Sequence, residues 1–254
     1  MHLVFVLNVA RRWQIATAAG DERRARAFGE TLEEIARQGT VFASAGSEPR
    51  QDLIRNDWDA LGMRASGSHS VSFEDVRLPL SALRGGFPIG DAVEYMERNL
   101  AAGLFHAVAA LGIAESAQAS VAAALARRDE LDAHAQMLVA ESLVDLSASR
   151  AVFSRAAALI DEHHERNPGS RGTAQELTRL FAEAQSAKLF TGETAVRIVD
   201  HALALSGGAG YLNGSPLARA YRDVRALPFM HPLGANRAYT FLGQLAAGRE
   251  PNLH

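Results

Sequence analysis

Residues 173–211 read TAQELTRLFAEAQSAKLFTGETAVRIVDHALALSGGAGY, and they set the architecture of the C-terminal part of the chain. From Thr173 to Leu205 the alanines and leucines recur at helical spacing, while Arg, Glu and Asp cover the other faces. Ser206-Gly207-Gly208 ends that helix, because glycine accepts the backbone conformations required at a helix C-terminus. A further helix start follows around Pro216-Leu217. Working outward, comparable Ala- and Leu-rich periodic segments run over 91–127 and 130–166, with Pro168-Gly169 separating the second from the third. A fourth helix fits 233–247. The apolar faces of these segments need mutual burial, which a helix bundle supplies.

Before residue 91 the pattern is different. Val9-Ala10-Arg11-Arg12-Trp13 can begin a helix, 18–21 reads as a turn, and 22–37 is helical again, with Leu32 and Ile35 on one side. Residues 39–46 carry strand formers followed by a flexible break. Gly62, Gly67, the alternation of Val71 and Phe73, and Pro79 favour short strands and turns. The expected fold is mainly α: a four-helix C-terminal domain over 91–254, preceded by an α/β region made of a helical 1–38 and a β-type 39–90. No short repeating unit and no low-complexity tail is present.

Composition bounds the function. With 254 residues and 48% apolar side chains the chain can bury a substantial core. A net charge of -3, with basic residues spread among acidic ones, gives no nucleic-acid surface. Absence of cysteine removes disulfides, thiolate catalysis and cysteine metal sites. Met1 to Asn8 is too short for an export leader and no apolar run reads as long enough to span a bilayer, so a cytoplasmic protein without membrane contact is expected.

Two signatures carry a resemblance. The first is Ser206-Gly207-Gly208-Ala209-Gly210-Tyr211 with Arg222-Asp223-Val224-Arg225 and His231-Pro232 behind it. The second is Trp58-Asp59-Ala60-Leu61-Gly62-Met63-Arg64-Ala65-Ser66-Gly67-Ser68, leading into residues 71–79. Together they resemble the acyl-CoA dehydrogenase superfamily, over about 9–48 and 58–251 of this sequence. The resemblance implies that 1–38 is a remnant of an N-terminal helical domain and 39–90 an abbreviated β-domain, because only a short polar connector joins Pro49 to Trp58. It also implies a flavin, FAD or reduced FMN, held near a subunit interface. The implied partners are a second copy in a homodimer or homotetramer, or a fuller homologous subunit, with a flavin reductase as a source of reduced flavin.

Taken by itself, the glycine segment is a helix cap and close-packing turn, or else a cofactor loop. It lacks both the dinucleotide fingerprint and the phosphate-loop lysine. The resemblance places Ser206, Gly207, Gly208 and Gly210 on the cofactor side. Arg222 and Asp223 form an exposed local pair or orient the segment, and Arg225 is the better anion partner. Arg64, Ser66 and Ser68 present a cation and hydroxyls from a glycine turn, either to a ligand or to stabilise the β-to-helix connection.

His231 is the catalytic candidate, since an imidazole exchanges protons near neutral pH. Residues 222–232 contain no glutamate, although acyl-CoA dehydrogenases often carry their proton-abstracting glutamate in this neighbourhood. The His-Pro pair instead resembles the flavin monooxygenase branch, in which reduced flavin reacts with oxygen and a histidine controls proton delivery. That points to a flavin-dependent oxidoreductase on a small organic or acyl substrate, with a non-catalytic partner-completing subunit and a cofactor-independent enzyme as the alternatives. His163-His164 lack ligand spacing and read as a polar helix end; His134, His201, Asp145, Asp161 and Glu176 establish neither a metal site nor a carboxylate pair.

Overall fold

The computed structural model of the chain describes residues 2–39, 57–70, 77, 91–251 and 253. It divides into two compact units, one drawn from 1–59, 64–98 and 161–177 and the other from 60–63, 99–160 and 178–254. Among the described residues the regular structure is helical throughout, with no strand.

In the first unit, α1 (His2–Ala18) and α2 (Glu22–Gln38) pack as a hairpin through Val9, Ala16 and Phe28. The expected turn at 18–21 is where they part. Gly20 there takes a φ of 70°, and the Asp21 carboxylate accepts the Arg24 N–H at 3.1 Å, a cap worth about 1 kcal/mol.

Helix α3 (Ala92–Asn99) brings Glu94 and Glu97, both almost fully buried, to Arg11 and Arg12 of α1. Arg12 hydrogen-bonds Glu94, and Arg171 stands 2.5 Å from it. Arg11 also donates at 2.7 Å to the carbonyls of Asn167 and Ser170. Burial raises the Glu97 pKa against the pull of Arg12. A buried charge deprived of its partner costs about 3–5 kcal/mol, so this cluster is an all-or-none anchor. Residues 57–70 run as turns with a single 3-10 turn at Arg64–Ser66. Val71, Phe73 and the strand formers beyond Gly39 lie outside the described residues.

The second unit is built on α4 (Ala102–Leu125), most of α5 (Ala133–Arg166) and most of α6 (Ala174–Ser206). Small residues at 107, 110, 114 and 117 line the buried face of α4, so its backbone can approach its neighbours closely. Ala195, Ile198, Val199 and Ala202 of α6 close the same core. Two short helices, α7 (Gly208–Tyr211) and α8 (Pro216–Val224), lead to α9 (Ala235–Ala246). Phe241 of α9 meets Phe181 of α6 edge-on, with centroids 5.4 Å apart and both side chains fully buried.

Three expectations are corrected. The periodic 91–127 is two helices, interrupted at Leu100 and Ala101, where no glycine or proline marks a break. Within 92–125 a stretch is, by length and composition, apolar enough to cross a membrane, contrary to the reading above; half of it is buried inside the protein, where its alanines are core contacts. His163 stands at a helix end as expected, but it is 2% exposed, and burial lowers its pKa.

Candidate functional site

Two neighbourhoods of the second unit hold most of the residues singled out from the sequence. The first is the end of α6. The Ser206 hydroxyl donates to the Leu203 carbonyl at 2.7 Å, and Gly207 leaves the helix with φ 64° and ψ -160°, which only glycine adopts without strain. Gly210 is buried against Ser206, whose hydroxyl a Cβ at residue 210 would strike. Ser206 and Gly210 therefore pack on each other. Gly207 and Gly208 border open space, since a Cβ at either would meet nothing within 4 Å.

Those two glycines line an open groove of about 520 Å³ with Asp200, Leu203, Ala204, Tyr211 and Tyr221. Arg225, the C-cap residue of α8, reaches Asp200 at 2.9 and 3.3 Å, and its guanidinium lies 4.4 Å from the Tyr221 ring centroid. Stacking on a ring and pairing with a carboxylate pre-orient the cation and largely cancel the groove's one negative charge. The lining fits a flat ligand in two respects, two phenol rings for stacking and glycines that leave the backbone accessible, and the Arg225 guanidinium beside it is paired with Asp200. The groove's size lies in the usual range of small-ligand sites.

The second neighbourhood is the turn between α8 and α9. A 3-10 turn, Leu227–Phe229, follows α8, and Pro232 and Leu233 are buried while His231 is exposed. The His231–Pro232 peptide is cis. His231 Nε2 lies 2.5 Å from Oδ1 of Asn99, which is itself buried. An amide oxygen only accepts, so the ring carries its proton on Nε2.

Beneath the turn lies Lys188, 2% exposed on α6, its ammonium donating to the carbonyls of Met230 at 2.5 Å, Leu233 at 2.7 Å and His231 at 3.4 Å. Burial lowers its pKa to about 8. His106 of α4 is pushed down to about 4, first by burial and then by the charges of Lys188 and His231, so it is neutral at neutral pH.

Of the remaining candidates, Asp223 makes a backbone contact. The Asp223 carboxylate accepts the Met63 N–H at 2.6 Å, joining the second signature to α8. Arg64 and Ser66 belong to the first unit, where Arg64 donates to Asp59 at 2.7 Å and the hydroxyls of Ser66 and Ser68 are 2.9 Å apart, all exposed. Among the described residues no group of three or more His, Cys, Asp or Glu could hold a metal.

Lys188, Asn99 and His106 were missed by sequence reasoning. For Lys188 a signal existed: it shares a helical face with Ala184, Thr191 and Ala195, all buried, so the lysine had to be buried too.

Residues 94–236 match the family model described as acyl-CoA dehydrogenase, C-terminal domain. The amino sugar nitrososynthase DnmZ of Streptomyces peucetius is 34% identical over 203 residues, which are 77% of this chain and 48% of that protein. The L-evernosamine nitrososynthase of a Micromonospora species is 36% identical over 208 residues, 77% of this chain and 46% of that protein. The chain thus spans about half the length of these curated relatives.

Among solved structures, KijD3 in complex with FMN and dTDP-3-amino-2,3,6-trideoxy-4-keto-3-methyl-D-glucose superposes with a TM-score of 0.72 at 34% identity, over 78% of this chain and 49% of that one. The methanesulfinate monooxygenase MsuC of Pseudomonas fluorescens gives a TM-score of 0.78 at 20% identity, over 99% of this chain and 79% of that one, a likeness of fold.

Proposed function

We propose, for a chain that belongs to the acyl-CoA dehydrogenase family through its C-terminal domain, that it serves a flavin-dependent oxidoreductase of the monooxygenase type. One observation carries this reading: the turn from Arg222 to Pro232 holds no glutamate and instead presents an exposed histidine whose Nε2–H is oriented by buried Asn99. A positioned imidazole gives or takes a proton within hydrogen-bond reach and does not need the strong carboxylate base of an α-proton abstraction.

Reduced flavin, FMN or FAD, supplies the electrons for oxygen chemistry when bound. Gly207 and Gly208 would border it, Arg225 would face its phosphate, and the Tyr211 and Tyr221 rings would cover its flat parts. His231, whose Nε2–H is held by Asn99, would take up and return the proton at Nδ1. The amino sugar nitrososynthase relative and the dTDP-amino sugar bound to KijD3 make an amine on a nucleotide-linked sugar the first substrate class to test.

The groove at the end of α6 is open on one side. A second copy, in a homodimer or homotetramer, completes it in this reading, and a flavin reductase supplies the reduced cofactor. In a second reading a fuller homologous subunit, rather than a second copy, closes the open side of the groove.

The test is a flavin titration with mass determination, followed by oxygen consumption and product yield with reduced FMN for wild type and His231→Ala. Saturable binding to an assembled species and a fall in product coupling of about tenfold or more in His231→Ala are expected, in line with the usual worth of a general acid or base. Binding without any change in coupling would remove His231 from the chemistry. No binding by the chain alone, restored by a homologous full-length subunit, would establish the second reading.

A further inference from the structure

A turn that presents a side chain to solvent still has to satisfy its own backbone. The stretch from Met230 to Leu233 is neither helix nor strand, so the carbonyls of Met230 and Leu233 have no ladder to join. Both accept from the Lys188 ammonium, at 2.5 and 2.7 Å, and the His231 carbonyl lies 3.4 Å from the same nitrogen. Three carbonyls around one ammonium take up its donor capacity.

Lys188 rises from a deeply packed part of α6, where Ala184, Gln185, Ala187 and Thr191 are fully buried, so its stem is held by the core. Gly103 of α4 lies beside it: a Cβ there would stand in ordinary contact with Lys188 Cδ at 3.4 Å and Pro232 Cδ at 3.6 Å. On the other side, Asn99 takes the imidazole Nε2–H at 2.5 Å.

We infer that Lys188 is a positioning residue for His231: its buried ammonium gathers the carbonyls of Met230, His231 and Leu233 onto α6, fixing the backbone while Asn99 fixes the ring. A desolvated lysine is costly. Its location under the turn that carries exposed His231 gives that cost a purpose, because an imidazole misplaced by about 1 Å loses roughly two decades of rate. Lys188 itself touches no reactant, since its ammonium is enclosed. The inference rests on the reading that His231 handles the proton.

The experiment compares wild type, Lys188→Met, His231→Ala and the double variant in the full chain, using reduced FMN as the probe, with long-range imidazole NMR as a readout independent of turnover. Lys188→Met should lower product coupling about tenfold while leaving FMN affinity within about twofold, and the double variant should be no worse than His231→Ala alone. In the spectrum, His231 should be a fixed Nε2–H tautomer in wild type and a tautomer mixture in Lys188→Met.

A normal His231 spectrum in folded Lys188→Met, or losses that add in the double variant, would overturn the inference. A His231→Ala variant with unchanged coupling would instead sink the functional reading, while the tautomer measurement still decides the role of Lys188. Should Lys188→Met fail to fold, the wild-type protein is titrated through the ammonium's lowered pKa of about 8, with His106 and His231 as the neighbouring imidazoles. The Nε2–H population of His231 should fall in that range; a flat response refutes the inference.

Discussion

Gly62→Ala tests how the two sequence signatures are joined. In the second unit the segment from Ala60 to Met63 lies on the last turn of α8, so closely that a Cβ at residue 62 would fall on the Arg222 carbonyl and come within 2.7 Å of the Asp223 nitrogen. These are backbone atoms, and no rotamer change relieves the overlap. Either α8 moves, pulling buried Leu217 and Val224 out of the core, or the segment lifts off. Lifting off is cheaper. It forfeits the Met63 N–H bond to the Asp223 carboxylate, about 1.5–3 kcal/mol for a hydrogen bond to a charged group, plus the contact area of a small segment.

The expected loss is about 3 kcal/mol, or roughly 6–12 °C in melting temperature at this chain length. Amide hydrogen exchange reads the local event directly, with protection at Met63 dropping about a hundredfold. Asp223→Ala should produce the same pattern. Gly62→Ala/Asp223→Ala should match either single variant, because both break one contact. Unchanged exchange at Met63 in Gly62→Ala, or additive losses in the double variant, would refute the reasoning.

Phe241→Ala should cost about 3–5 kcal/mol by opening a cavity against Phe181, whereas Phe229→Ala, at 87% exposure, should stay within about 0.5 kcal/mol; denaturant unfolding separates them. Asp200→Asn frees Arg225 and removes the groove's carboxylate, so FMN affinity measured by fluorescence quenching should rise about fivefold; weaker binding would exclude Arg225 as the phosphate partner. His106 and His164 have folded pKa values of about 4 against 6.5, so the native state binds fewer protons across that interval. Stability present above 6.5 should be lost as pH falls toward 4, and His106→Asn should flatten the loss in a melting series; identical pH curves would contradict the burial argument.

The sequence by itself determined the local structure. Periodicity from Thr173, the stop at Ser206-Gly207-Gly208 and the start at Pro216 are written in consecutive residues, and the structure returns α6, the glycine exit and α8 within a residue or so. The same grammar gave the turn between α1 and α2, and the absence of a glutamate near His231 is a plain fact of composition. The break at Leu100 and Ala101 escaped it, since no residue there disfavours a helix.

Partners were decided only by tertiary structure. Asp223 as an acceptor for residue 63, Lys188 under a turn some forty residues away, and Arg12 bonded to Glu94 each depend on where packing brings remote segments. Helical propensity and spacing act over a few residues. A charge's role depends on what is buried beside it, and burial is a property of the packed helices, not of any stretch read alone.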